Sequence, residues 1–205
     1  MVEIILVRHG VTLWNLEGRI QGISDTELAP EGLRQAKLLA ENFPFDKVDA
    51  IYSSDLSRAK TTAQFVADKF NLTVQTDSAF REVDFGEWEG KYFANLEKEN
   101  PEMLKIFHTQ PDKLKLDGFE TFEKSQARAT DALKKIIANH ETGGESRVVI
   151  VAHGTINRLI LFGILDIPIK NLWRINQFNT AVNIFRIDDG GFTVRLINST
   201  AHLNL

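Results

Sequence analysis

Residues 4–7 are apolar without interruption, and so are residues 148–151. Both runs are short and rich in β-branched side chains, as expected of strands buried on both faces in a parallel sheet. From Pro30 the period changes. Leu33, Ala36, Leu39, Ala40 and Phe43 recur at intervals of three and four, which predicts a helix with Pro30 in its first turn. Residues 48–52 predict a second strand, and Ser53, Ser54 or Asp55 can cap the helix after it. That helix lines up Ala59, Thr62, Ala63, Val66, Ala67 and Phe70 on one face. Residues 72–74 suit a third strand. Residues 85–118 have no sustained period, are rich in aromatics and are broken by Pro101 and Pro111, so short helices and loops are expected. A long amphipathic helix is predicted over 119–140, with Phe122, Ala129, Leu133, Ile136 and Ile137 inward, and another over 155–165. Residues 181–187 and 192–197 alternate apolar with polar around Asp188-Asp189-Gly190-Gly191, the signature of a hairpin at a sheet edge.

Strands alternating with helices imply a three-layer α/β/α sandwich with a mostly parallel central sheet and an antiparallel edge strand. Ligands of such sheets bind outside the carboxyl ends of the strands. Both buried runs stop on the same pair of residues, His9-Gly10 and His153-Gly154. If the two strands are neighbours, both imidazoles face one crevice.

Composition narrows the picture. The chain has 205 residues, 43% of them hydrophobic, enough for one domain over 1–205 in which residues about 85–118 form a helical and looped lid over the site. Net charge is -4, against the basic face of a nucleic-acid binder. Cysteine is absent, which excludes a disulfide scaffold, thiol catalysis and Cys-ligated metal. The N-terminus lacks a basic segment followed by an apolar one, and no apolar run nears the ~20 residues that span a bilayer. A cytoplasmic protein is expected, acting on a small molecule, without nucleic acid or membrane partners; a homodimer stays open.

Arg8 directly follows four apolar residues and needs an anionic partner: either Glu82 in a buried ion pair, or a ligand phosphate or carboxylate gripped by two parallel hydrogen bonds. Arg58 stands near a helix start, and the stretch REVDFGEWEG offers Glu82, Glu87 and Glu89 beside Asp84. Gly10 and Gly154 keep backbone amides open to a ligand, and Gly154 opens a helix whose N-terminus favours an anion. Two arginines, two histidines, one carboxylate and helix-end amides suit phosphoryl transfer through a histidine.

LVRHGVTLWN, RIQG, SSDLSRAKTTA, REVDFGEWEG and VAHG, in that order and with a closing NSTAHL, resemble the histidine phosphatase superfamily, also called the phosphoglycerate-mutase-like family. The resemblance implies a phosphomonoester hydrolase that needs no metal or other cofactor. It implies that His9 takes up the phosphoryl group, that Arg8, Arg58 and a protonated His153 hold the phosphate oxygens, and that Glu82 protonates the leaving group. A bound dianion nearby would favour the protonated carboxyl. Asn15, Gln21 and Gly154 are the implied substrate-binding positions. Val11 stands where many members carry Glu or Gln after RHG, a change that bears on substrate preference. A nucleophilic His9 must be neutral at the attacking nitrogen, with its other nitrogen donating to a backbone carbonyl.

Three competing readings are distinguishable. A metal triad of two histidines and a carboxylate is opposed by two adjacent arginines. A cofactor-dependent phosphoglycerate-type mutase resembles longer chains, with FTGW-like sequence in place of RIQG. A non-catalytic phospholigand-binding module would not need all five core positions intact. General phosphomonoesters, sugar phosphates and nucleotide-pathway esters such as α-ribazole phosphate are open as substrates. Trp14, Phe85, Trp88, Phe93 and Phe107 are candidates for an apolar wall or for core, and Arg19 and Lys91 for a second anion contact.

Overall fold

The computed structural model describes residues 1–141, 144–188 and 190–204. Asp189, within the predicted hairpin turn, lies outside the described residues. Six strands form one sheet: β1 (Val2–Arg8), β2 (Ala50–Ser53), β3 (Val74–Thr76), β4 (Ser146–Ala152), β5 (Val182–Asp188) and β6 (Gly191–Ser199). Their spatial order is β3-β2-β4-β1-β5-β6. The first four run parallel, whereas β5 is antiparallel to β1 and β6 to β5. The antiparallel edge is the hairpin expected over 181–187 and 192–197.

Side chains alternate across the sheet, as the pleat demands. Ile4 and Leu6 of β1, with Val148 and Ile150 of β4, face a core shared with α6 (Phe122–His140) and α7 (Gly154–Ile164). Ile5 and Val7, with Val149 and Val151, face a core shared with α2 (Pro30–Glu41) and α3 (Ser57–Phe70). Both faces are buried, which is why these strands read as unbroken apolar runs.

Several boundaries differ from the sequence expectation. The third strand starts at Val74, two residues late, because Asn71 in the left-handed region (φ 52°) ends α3 with amide caps and the chain must first turn back. The long helix begins at Phe122, capped by Thr121, and Phe119 pairs with Phe85 in an isolated bridge instead. Leu33, counted as inward, is 42% exposed. A short helix, α1 (Leu13–Glu17), closed by a capping box between Thr12 and Asn15, was not legible from periodicity. None of Ser53, Ser54 and Asp55 caps α3: its N-cap is Leu56, and Asp25 takes the Ser57 amide from across the chain. Residues 85–118 do contain short helices, α4 (Phe93–Glu99) and α5 (Pro101–Thr109), with two 3-10 turns.

The loop after β1 is set against α2 by two glycines. A Cβ on Gly10 would stand 2.5 Å from the Gly32 carbonyl oxygen, and one on Gly32 would stand 2.1 Å from the Val11 carbonyl oxygen. Both obstacles are backbone, so neither yields cheaply. Gly32→Ala is expected to cost about 1–3 kcal/mol as an overpacked contact. For a chain of this size that lowers Tm by roughly 2–4 °C per kcal/mol. Calorimetry checks it; an unchanged Tm would mean the helix shifts without strain.

Candidate active site

The β1–β4 register brings the two histidines together. Arg8 pairs with Ala152, and the His9 amide donates to the Ala152 carbonyl at 3.0 Å, so His9 and His153 leave adjacent strand ends side by side. Their ring centroids are 5.1 Å apart at 61°. Both are buried.

His9 Nδ1 lies 2.7 Å from the carbonyl oxygen of Gly10. A carbonyl only accepts, so Nδ1 carries the hydrogen and Nε2 keeps its lone pair. Burial, Arg58 and Arg8 hold the His9 pKa well below the usual imidazole value, which keeps Nε2 unprotonated.

His153 caps α7 and lies 2.8 Å, through Nε2, from Ser54 Oγ. Its Nδ1 is buried with no hydrogen-bond partner among the described residues. Burial, Arg58, His9 and Arg8 also push its pKa well below the ordinary value. In the ligand-free protein this favours the neutral ring, whereas the expected protonated His153 refers to the site with phosphate bound. If the Ser54 hydroxyl donates to Nε2, the hydrogen of the neutral ring sits on Nδ1.

The arginines carry the fixed charge. Arg58, on the first turn of α3, is 1% exposed and donates Nη1 to the Ser24 carbonyl (2.8 Å) and Nη2 to the Gly22 carbonyl (2.7 Å). Arg8 donates Nη1 to the Gln177 carbonyl at 2.6 Å. Neither forms an ion pair within the described residues, and the Nε of each is buried without an acceptor. Burial pulls both guanidinium pKa values down to about 10, aided at Arg8 by repulsion from Arg158, and at each Glu82 acts in the opposite direction. Arg8 therefore does not find its anion in Glu82.

Glu82 is occupied otherwise. Its Oε1 accepts the amides of Val83 and Ile156, and its Oε2 the amide of Thr155, each at 3.0 Å. It caps α7 from a distant segment, and the helix dipole reinforces that choice. The remaining carboxylates of that stretch have other places. Glu87 is exposed; Glu89 binds the Ile23, Ser24 and Phe85 amides; Asp84 takes the Gly86 amide. Arg128 braces the Glu82 segment by donating to the carbonyls of Ala79, Arg81 and Glu82 while paired with Glu120.

Arg8, His9, Arg58 and Glu82 line a cleft of about 240 Å³ that also holds Asn15 and Gln21, whereas His153, fully buried beside His9, is not part of its lining. Gln21 Oε1 accepts from the Thr12 and Thr26 hydroxyls, which leaves its Nε2 as the free end. Asn15 Oδ1 accepts from the Thr12 amide and from Asn179. Gly154 does not line the cleft. A Cβ there would stand 3.3 Å from Arg8 Nε, so the glycine makes room for the arginine. Phe85, Phe93, Phe107, His108 and Trp173 line the cleft as well, together with Arg19. Trp88 is core, Trp14 stacks near Arg19, and Arg19 is engaged by Tyr92 and Glu17. Ser54 reads from the sequence only as a helix cap and Arg158 only as part of the 155–165 helix, while His108, Trp173 and residues 177–180 escape sequence reasoning, since none of these sits in a periodic or motif context. Among the described residues, no three His, Cys, Asp or Glu side chains converge as metal ligands would.

A family model described as the histidine phosphatase superfamily (branch 1) matches residues 4–200. A metal-independent phosphoserine phosphatase of Arabidopsis thaliana is 33% identical, over 100% of this chain and 84% of its own length. A phosphoglycerate mutase-like protein 4 of the same plant is 38% identical, over 98% and 86%. The solved structure of a phosphoserine phosphatase mutant from Entamoeba histolytica, in complex with phosphoserine, superposes with a TM-score of 0.88 at 31% identity, covering 99% of this chain and 100% of that one.

Neutral histidines beside cations leave a thermodynamic mark. Their folded pKa values lie below the unfolded value of about 6.5, so unfolded chains bind protons that folded ones refuse as pH drops. Stability is complete above that value. It is lost on acidification at up to about 1.4 kcal/mol per pH unit for each such histidine, until the folded pKa is reached. Melting scans from about pH 7.5 to about pH 5.5 should show a steeper Tm loss for the wild type than for His153→Gln. Equal slopes would mean His153 is protonated in the folded protein.

Proposed function

The chain belongs to the histidine phosphatase superfamily, and we propose that it hydrolyses small phosphate monoesters through a phosphohistidine formed on His9. The observation that carries this reading is the His9 Nδ1 contact to the Gly10 carbonyl, which leaves Nε2 as a lone-pair donor in a cleft with two unpaired arginines. The charge that a metal would otherwise supply comes from Arg8 and Arg58. With His153 Nδ1–H they hold the phosphate oxygens. Asn15 and Gln21 line the approach.

In the first step the Nε2 lone pair attacks phosphorus and the ester P–O bond breaks. The leaving oxygen takes a proton from Glu82. Oε1 already accepts two amides and Oε2 only one, so Oε2 is the oxygen that exchanges the proton. In the second step water attacks phospho-His9 and gives its proton back to Glu82, and the N–P bond breaks to release phosphate. Throughout, Nδ1–H on Gly10 O supports the positive charge of the phosphorylated ring.

Mutase chemistry shares the first step and differs only in the acceptor of the second, and several relatives bear mutase or mutase-like names. Phosphate release against transfer to a second hydroxyl, read on 3-phosphoglycerate, separates the two. Acid-quenched mixing with a labelled ester tests the main reading. Wild type should trap an acid-labile phosphoenzyme and His9→Ala none, while Arg58→Ala and His153→Ala should each lower kcat by ~10²-fold or more. Turnover by folded His9→Ala would remove His9 as the nucleophile.

The role of Glu82 has its own signature. A general acid matters in proportion to the basicity of the leaving group. Glu82→Gln should slow alkyl esters such as phosphoserine far more than p-nitrophenyl phosphate in single-turnover phosphorylation, whereas Glu87→Gln should not alter that ratio. Equal slowing of both esters by Glu82→Gln would assign the proton to another group.

A further inference from the structure

The closing motif NSTAHL contributes nothing to the lining of the cleft, yet its histidine is buried, 6% exposed, in a short 3-10 turn (Ala201–Leu203). His202 Nε2 lies 3.0 Å from Thr180 Oγ. The Thr180 hydroxyl donates to the Asn179 carbonyl at 2.8 Å, so its oxygen must accept from His202, and the ring carries its hydrogen on Nε2. Thr180 itself sits in the left-handed region (φ 55°), a costly conformation for a β-branched residue that persists only where its surroundings impose it.

What Thr180 touches on its other side gives that strain a purpose. Its amide donates to the His9 carbonyl at 3.2 Å, and Asn179 Nδ2 donates to the same oxygen at 3.1 Å. The neighbouring carbonyls of Ala181 and Gln177 accept from the Arg8 amide (3.1 Å) and from Arg8 Nη1 (2.6 Å). Residues 177–181 thus grip the backbone of Arg8 and His9 together with the Arg8 side chain. The same motif holds the far end of that segment, because Asn198 Oδ1 accepts the Phe178 amide at 2.7 Å.

We propose that His202 is a positioning residue for phosphoryl transfer: by its hydrogen bond to Thr180 it holds the segment that fixes where His9 Nε2 stands. The proposal rests on His9 being the phosphoryl acceptor. Displacement of a nucleophile by a fraction of an ångström to an ångström is costly in rate, up to ~10²-fold. The loss belongs in the chemical step, with ground-state binding of phosphate much less affected.

The test compares His202→Leu, which removes the donor, with His202→Gln, which restores an N–H, and Thr180→Val with Thr180→Ser. Each is assayed below its own Tm for single-turnover phosphorylation by p-nitrophenyl phosphate and for inhibition by inorganic phosphate. His202→Leu and Thr180→Val should each slow phosphorylation ~10-fold or more with a smaller change in phosphate inhibition. The Leu/Val double variant should be no slower than Thr180→Val alone, since that variant already removes the His202–Thr180 bond along with the Thr180–Asn179 one. His202→Gln and Thr180→Ser should recover most of the rate. Should His202→Leu not fold, the Thr180 pair carries the same comparison. A lowered Tm with wild-type phosphorylation rate in the folded variants, or full additivity in the double variant, overturns the proposal. If wild type forms no phosphohistidine, the His9 reading falls and this proposal with it; a normal phosphohistidine in wild type with unchanged rates in the variants refutes this proposal alone.

Discussion

Everything at this site depends on one parallel strand pairing. β1 and β4 are distant in sequence, and their register sets Arg8 beside Ala152 and therefore His9 beside His153. A shift of one residue would turn every side chain of β1 to the opposite face and bury charged groups in the two cores. The apolar alternation that fills both cores is thus also what fixes the two imidazoles. Core packing and site geometry are one constraint here, enforced by β-branched side chains on both faces of the sheet.

The second constraint is charge. Burying guanidinium groups is expensive unless hydrogen bonds compensate, and the usual compensation is a carboxylate. Here the compensation comes from carbonyl oxygens: Ser24 and Gly22 for Arg58, Gln177 for Arg8, Ile175 and Gly154 for Arg158. A carbonyl satisfies a donor without cancelling its charge, so the cleft keeps a net positive field for an anion. Glu82, in the same cleft, engages its oxygens with the amides of Val83, Thr155 and Ile156 and, among the described residues, makes no ion pair with these arginines. The Glu89 carboxylate and the glycine at position 22 serve the same end, since Glu89 ties down the loop that presents Arg58 with its carbonyls, and a Cβ at position 22 would collide with that carboxylate.

The sheet, its main helices and the histidine pair were legible because each is written locally, as a period or as a residue at a strand end. Arg58 was legible for the same reason, one turn into a helix after a strand. The rest was not local. Which glutamate meets α7 depends on a contact between residues 73 and 74 positions apart, and no spacing within REVDFGEWEG encodes it. Ser54 read as a helix cap because serines before helices usually are; its strand end lies against β4, which turns it to His153 instead. Trp173 belongs to a 3-10 segment without period, and it enters the cleft wall through an indole N–H donated to the Phe107 carbonyl and a face turned to Arg158.

The protonation of His153 marks where residue-type reasoning and electrostatics part. A phosphate site suggests positive histidines, yet burial first, and then two arginines and a second imidazole, make a further cation costly before the anion arrives. The same burial and positive field lower both imidazole pKa values, and so favour the unprotonated Nε2 with which His9 would attack. Binding a dianion reverses that field. The neutral pair is the state poised to attack, and charge on the ring of His9 becomes favourable only once phosphate is there to balance it.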